Sequence, residues 1–321
     1  MILDRALFLA GPTAVGKSAI AFSLARRIQG EIISVDSMQV YRGLDVGTAK
    51  PTQAEQTLVP HHLVDILDVT EAFDAATWAR KAEVAADEIR GRGRPAIFCG
   101  GTGLYFQALL EGLGQAPASD PAVRREIEQT PLSDLLEELR QTDPQLYERM
   151  DRQNARRVIR AVEVIRLSGQ AYSAQRATWR GGSRGSEFGP AKYTAGGCFF
   201  AIERAKEDLR RRIEGRVDAM FERGLVEETK RLMAQGLSQN RTAIQAIGYR
   251  QVIEHLRGNR TLEETIAPIK QRTWQLARRQ LNWFRNQMNF EWIMLDPMEN
   301  PETVAERLAN AAGLPARCKP A

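Results

Sequence analysis

The sequence predicts an α/β fold: a parallel sheet core with helices on both faces, interrupted by an all-helical insertion. Two observations carry that reading. Short apolar runs bounded by turn residues alternate with amphipathic helical stretches through the first hundred or so residues and again beyond Gly197, as in a sheet buried on both faces. From Asp120 to about Trp179 the chain shows helical periodicity and no strand candidate. A length of 321 residues suits about two domains, so we assign 1–118 and 191–321 to the core and 119–190 to the insertion.

The elements follow in order. Ala6–Ala10 (ALFLA) reads as a buried strand, Gly11–Gly16 as a loop, and Ser18–Ile28 as a helix closing near Gly30. Glu31–Val35 is a second strand, ending at Asp36, and another is expected at Leu63–Leu67. Residues 74–90 form an amphipathic helix stopped by Gly91 and Gly93. Pro95–Cys99 is a further strand running into Gly100-Gly101-Thr102-Gly103. The character changes at Ala116-Pro117-Ala118-Ser119. A Gly/Ser-rich connector, RGGSRGSEFGP at 180–190, precedes the return to the sheet. Gly197–Ile202 restores strand character, two long helical stretches follow, and Phe290–Leu295 is the last strand.

Composition excludes several classes. No window approaches 18 uninterrupted apolar residues, so no membrane span is expected. The opening MILDRALFLAG places Asp4 and Arg5 inside any apolar region, which argues against a signal peptide; a reducing cytoplasm is the default expectation. Cys99, Cys198 and Cys318 are far apart and odd in number, unlike a disulfide framework or a zinc finger.

The strongest local signal is Gly11-Pro12-Thr13-Ala14-Val15-Gly16-Lys17-Ser18, a match to G-x-x-x-x-G-K-[ST] between a strand and a helix. Glycines let backbone N–H groups wrap a phosphate at the positive end of the helix. Lys17 would reach the terminal phosphate and Ser18 would hold Mg²⁺. The core is therefore expected to be P-loop NTPase-like, with a di- or triphosphate as ligand. Yet the strand ending Phe98-Cys99-Gly100-Gly101-Thr102 lacks the acid that such enzymes use on the metal. The carboxylate at a strand end is Asp36, followed by Ser37. It faces the crevice of a doubly wound sheet, where it could act on a second substrate, although it could also cap a helix starting near Ser37. Thr102, between two glycines, offers a hydroxyl where backbone can come close.

The net charge is +5, and 37 of the 45 basic residues are arginine, the side chain suited to bidentate phosphate recognition. Two segments concentrate them. Residues 150–180 hold seven arginines (152, 156, 157, 160, 166, 176, 180) against Asp151 and Glu163. Residues 270–285 hold Lys270, Arg272, Arg278, Arg279 and Arg285 with no acid, interleaved with Trp274, Trp283 and Phe284. Like-charge stripes cost helix stability unless neutralised, and a nucleic-acid backbone would neutralise them. The tryptophans read as core. Together these features suggest a small pyrophosphorylated donor and a nucleic-acid acceptor. A small-molecule kinase and a non-catalytic RNA-binding protein are the alternatives.

The combined strings GPTAVGKS (11–18), SVDSMQVY (34–41), GTAKP (47–51), GGTGLYFQALLEGL (100–113), RAVEV (160–164) and AIGYR (246–250) resemble the tRNA isopentenyltransferase (IPP transferase) family, over roughly residues 5–295. The resemblance implies transfer of a dimethylallyl group from dimethylallyl diphosphate to N6 of adenosine 37 in the tRNA anticodon stem-loop. It implies Asp36 as the base that takes the N6 proton and Thr102 as the hydrogen-bond partner of the leaving oxygen. The phosphate loop, with Arg216, would bind the donor's diphosphate rather than ATP. The tRNA-contacting stretches would be Asp36, Ser37, Met38, Gln39 and Thr102, then Arg124, Arg156, Arg157, Val158, Ile159 and Arg160. Gln245, Ala246, Ile247, Gly248, Tyr249 and Arg250 complete them. The insertion corresponds to the family's helical domain, and a monomer is the expected state.

Overall fold

In the computed structural model, residues 6–113, 116–175 and 197–314 are described; the expected connector RGGSRGSEFGP, with Arg176, Arg180 and Cys318, lies outside them. Six strands, β1 (Leu7–Ala10), β2 (Glu31–Val35), β3 (His61–His62), β4 (Ala96–Gly100), β5 (Cys198–Arg204) and β6 (Glu291–Leu295), form one parallel sheet in the order β3-β2-β4-β1-β5-β6. Every residue of β1, β2 and β4 is buried, which explains the unbroken apolar run of β1 and the largely apolar character of β2 and β4. The helices of this unit are α1 (Lys17–Ile28), α2 (Gln53–Leu58), α3 (Ala75–Gly91) and α4 (Gly103–Leu110). The insertion contributes α5 (Pro121–Gln129), α6 (Leu132–Thr142), α7 (Pro144–Arg149), α8 (Ala155–Ser168) and α9 (Tyr172–Gln175). The return adds α10 (Lys206–Glu222), α11 (Leu225–Ala234), α12 (Tyr249–Leu256), α13 (Glu263–Gln287) and α14 (Pro301–Ala311). None of these helices is long and apolar enough to cross a membrane.

Alternation along the strands divides the core between the two faces. Leu7, Leu9, Ile97, Phe200 and Ile202 pack with Leu24 and Ile28 of α1 and Leu308 of α14. On the opposite face Phe8 stacks between its register neighbours Phe98 and Phe199, at 4.8 and 4.5 Å between ring centroids. Phe106 of α4 is tilted against Phe8, and Phe284 of α13 meets Phe106 edge-on. The same register brings the carboxyl ends of β1, β2 and β4 side by side. At Gly100 a Cβ would lie 2.1 Å from the Val35 carbonyl oxygen, so only glycine lets β4 end against β2.

The strand expected at Leu63–Leu67 is not there. Pairing with β2 stops after His61–His62, because Leu63 (φ 60°) and Asp65 (φ 55°) leave the extended region, and Leu67 returns only as a single bridge to Tyr41. The detour has a purpose. Asp65 turns in to meet Lys50, whose Nζ also donates to Asp45 at 2.6 Å and to the Tyr41 carbonyl at 2.8 Å. Lys50 of the GTAKP string is thus a buried tie within the β2–α3 connection.

The chain divides into two compact units, Met1–Leu110 with Gly181–Ala321, and Glu111–Arg180. The second has a core of its own, built from Ile127, Leu135, Leu139, Leu146, Val158, Val162 and Ile165. Inside it Glu163 is 0% exposed and accepts from Arg124 at 3.1 Å, from Arg160 at 2.9 Å and from Ser119. Burial pushes its carboxyl up, but Ser119 and the two arginines outweigh that and hold it below the usual range.

Lys50→Met leaves two carboxylates and a carbonyl without their cation. The expected loss is about 2–3 kcal/mol, less than for a fully buried pair because both carboxylates keep solvent. A lower urea midpoint at unchanged m-value would show it; an unchanged midpoint would make the tie dispensable.

Candidate active site

The phosphate loop leaves β1 at Gly11 (φ 147°), where a Cβ would stand 2.6 Å from the Ile202 carbonyl oxygen, and enters α1 through Gly16 (φ 109°). No side chain caps α1, so its first N–H groups remain for a ligand. The loop carbonyls are taken by cations. Lys17 Nζ donates to Pro12 O at 2.6 Å, Arg212 Nε to Ala14 O at 2.9 Å, and Arg204 Nε to Val15 O at 2.8 Å. Above the loop lies a cavity of about 450 Å³ lined by Lys17, Ser18, Asp36, Cys99, Arg212 and Arg216.

Charge is crowded there. Burial lowers the Lys17 ammonium to about 8, and the nearby Arg216 works the same way, against the pull of Cys99 and Asp36. Burial also lowers the Arg216 guanidinium, with Asp36 opposing. Its Nη2 reaches the Thr48 carbonyl at 3.3 Å, while its Nε is buried with no partner. A partly desolvated arginine with an idle donor beside an uncapped helix start calls for an anion. Cys99, pushed up to about 11 mainly by burial, stays a thiol.

Asp36 follows β2. Its Oδ1 accepts from Met38 N at 2.8 Å and Gln39 N at 3.3 Å, so it closes a turn and starts no helix, and Oδ2 has no hydrogen-bond partner among the described residues. Thr102 stands opposite. Its N–H donates to Val35 O at 3.2 Å and its Oγ1 accepts from Ser37 N at 3.3 Å. Asp36, Thr48, Gly101 and Arg216 continue into a second cavity, also about 450 Å³, which adds Thr102, Met220, Ile247, Leu276, Trp283 and Phe284. One cavity is cationic, the next largely apolar, and the carboxylate lines both.

Gln280 of α13, unremarked in the sequence, joins the two sides. Its Oε1 accepts from Thr13 N and its Nε2 donates to Gly101 O, each at 2.9 Å. The signal for it was the glycine pattern. A Cβ on Gly101 would lie 2.4 Å from Gln280 Nε2, and one on Gly103 2.2 Å from Trp283. The glycines announce a close partner without saying which. Trp283 accordingly lines the second cavity, whereas Trp274 packs against the core as expected.

The other expected residues divide. Ser37, Met38, Gln245, Ala246 and Ile247 line the second cavity and Gln39 the first. Gly248 is the N-cap of α12 at positive φ (105°), and Arg250 is exposed and 3.6 Å from Glu254. Tyr249 and Val158 are 0% exposed, so neither side chain has surface to offer tRNA; Val158 belongs to the insertion's core, with Ile159 packed against it. Arg124 and Arg160 are bound to Glu163, and Arg166 to Glu126 and Glu138. Arg156 and Arg157 are exposed without an ion pair among the described residues. They stand in the first turn of α8, where the helix dipole opposes cations. Along α13, Lys270 pairs with Asp218 and Arg285 with Glu203, so that stripe is less bare than its sequence suggests. Arg272, Arg278 and Arg279 stay exposed.

A phosphate loop, an orphaned arginine, and an aspartate facing an apolar chamber define a transferase that uses a phosphorylated donor without the metal-binding acid of an NTPase. The chain belongs to the IPP transferase family: that family's model matches residues 39–287, and one described as isopentenyl transferase matches residues 5–71. It is 42% identical over 289 residues to tRNA dimethylallyltransferase 1 of Citrifermentans bemidjiense, covering 90% of this chain and 92% of that one. It is 40% identical to the tRNA dimethylallyltransferase of Protochlamydia amoebophila, with 95% and 88% covered. Among solved structures, the tRNA isopentenylpyrophosphate transferase of Bacillus halodurans superposes with a TM-score of 0.69 at 36% identity, covering 97% of this chain and 96% of that one. A eukaryotic dimethylallyltransferase acting on tRNA superposes with a TM-score of 0.77 at 25% identity, covering 98% and 81%. These relatives do not favour the kinase alternative.

Lys17 generates a pH prediction. Below about 8 it is charged in the free protein; above that, capturing an anion requires taking up a proton. Affinity for dimethylallyl diphosphate, followed by titration calorimetry, is expected to fall as pH rises through about 8, approaching about tenfold per pH unit. A flat profile from pH 7 to 9.5 would remove Lys17 from the diphosphate site.

Proposed function

We propose that this prenyltransferase moves the dimethylallyl group of dimethylallyl diphosphate to N6 of adenosine 37, in the anticodon stem-loop of tRNA, and releases diphosphate. The observation that carries the reading is Asp36, shared by a cationic cavity and an apolar one. The adenine amine is a weak nucleophile because its lone pair is delocalised into the ring. As N6 bonds to the allylic carbon and the C–O bond to diphosphate breaks, Asp36 takes the N6 proton, through the Oδ2 that no backbone group occupies. Lys17, Arg212 and Arg216 hold the charge that collects on the leaving group. Thr102 Oγ1 already accepts from Ser37, which leaves its one O–H to donate to the bridging oxygen. The base must leave its stack to enter such a cavity.

Mg²⁺ fits the donor set. Ser18 is exposed in the first turn of α1, and a magnesium ion takes few protein ligands beside water and phosphate oxygens. Ser18 and the diphosphate would hold it, and it would offset leaving-group charge when bound. In the insertion, Arg156 and Arg157 are the groups best placed for tRNA phosphates. With tRNA as acceptor, the cytoplasm is the expected compartment and a monomer the expected working unit.

Purified protein given labelled dimethylallyl diphosphate, Mg²⁺ and unmodified tRNA, with no ATP, should move label into tRNA. Asp36→Ala should lower turnover by about 10²–10⁴ while tRNA affinity holds; turnover near wild type would refute the base assignment. Arg156→Ala should weaken tRNA binding and reduce its salt slope by about one, and an unchanged slope would take Arg156 out of the phosphate contacts.

A further inference from the structure

Two buried side chains that line neither cavity hold the backbone facing Arg216. Glu228, in the first turn of α11, is 3% exposed. Its carboxylate accepts from Val46 N at 3.0 and 3.1 Å and from Gly47 N at 3.5 Å. The Tyr249 hydroxyl donates to Glu228 Oε1 at 2.5 Å and accepts from Gly47 N at 3.1 Å. Burial, then the Glu228 charge, raises the Tyr249 phenol well above its ordinary range, so it remains a donor. The fit is tight, since a Cβ at Gly47 would lie 2.4 Å from the Tyr249 ring.

The next residue connects this lock to the chemistry. The Thr48 carbonyl accepts from Arg216 Nη2 and from Gln39 Nε2, each at 3.3 Å. Arg216 has no other hydrogen-bond partner among the described residues, so the place of that carbonyl decides where the guanidinium sits. An arginine whose charge is partly desolvated gains most from a fixed geometry, because it then meets the ligand without reorganising.

We propose that Glu228 and Tyr249 are positioning residues for diphosphate capture: they fix the Val46–Thr48 backbone so that the Thr48 carbonyl presents Arg216 to the phosphate loop. The inference rests on reading the cationic cavity as a diphosphate site. It gives Tyr249 a supporting role in place of the tRNA contact that its string suggested.

Tyr249→Phe keeps the ring and removes the hydroxyl, and Glu228→Gln keeps the shape and removes the charge. Each should weaken binding of inorganic pyrophosphate, measured by calorimetry, and raise KM for dimethylallyl diphosphate by about three- to tenfold, the scale of one hydrogen bond. The tRNA dissociation constant should stay unchanged. In an Arg216→Lys background the further effect of Tyr249→Phe should largely vanish, since both changes act through one group. Unchanged pyrophosphate affinity in both variants, additive effects in the double variant, or weakened tRNA binding instead would each overturn the proposal. A wild-type protein that bound pyrophosphate but moved no label into tRNA would refute the transfer reaction alone, and the pyrophosphate titrations would still decide the roles of Glu228 and Tyr249.

Discussion

The site depends on keeping three positive charges close together and partly out of water with a single acid, Asp36, beside them. Lys17, Arg212 and Arg216 line one cavity whose sole carboxylate is Asp36. Like charges at such range destabilise the folded protein. The structure contains this by spending backbone dipoles on them: the carbonyls of Pro12, Ala14 and Thr48 each accept from one of the three. A carbonyl orients a cation without neutralising it. What remains is an unbalanced field aimed at one place, which suits an anion.

That arrangement explains features otherwise unrelated. The loop around Gly47 is gripped because it supplies one of those carbonyls. Arg204 is buried between the phosphate loop and the turn after β6, with Asp208 as its counter-ion and the Val15 and Asp296 carbonyls as further acceptors. It ties the last strand to the first functional loop, so the returning segment of the chain belongs to the site. Gln280 does the same from α13, joining Thr13 to Gly101. The phosphate-loop side and the Thr102 side are thus linked by an amide that can both donate and accept.

The helical unit follows a different logic. Its arginines are mostly committed internally, three of them to Glu163, Glu126 and Glu138. A buried carboxylate holding Arg124 and Arg160 organises the start of α5 and the middle of α8 around the Pro117–Ser119 segment, through the Pro117 carbonyl and the Ser119 hydroxyl. Among the described residues, Arg156 and Arg157 stand exposed at a helix start without an ion pair. A count of arginines therefore overstates the surface available to a polyanion, because sequence does not say which cations a fold consumes.

The features legible from the chain alone are those written in local pattern. Five of the six strands, the phosphate loop and the change to all-helical character follow from apolar periodicity and from glycine and proline, each readable within a dozen residues. That Asp36 and Thr102 come to lie near one another follows as well, since strand ends in a parallel sheet converge by topology. The failures have one cause. The run at Leu63–Leu67 looks like a strand until Asp65 turns in to meet Lys50, a residue 15 positions away. Tyr249 sits in a string associated with tRNA but is buried against Glu228 and Gly47, 21 and 202 positions distant. Gln280 acts on residues 267 and 179 positions away. These emerge in three dimensions, because a hydrogen bond depends on distance and angle in space, and separation along the chain carries neither.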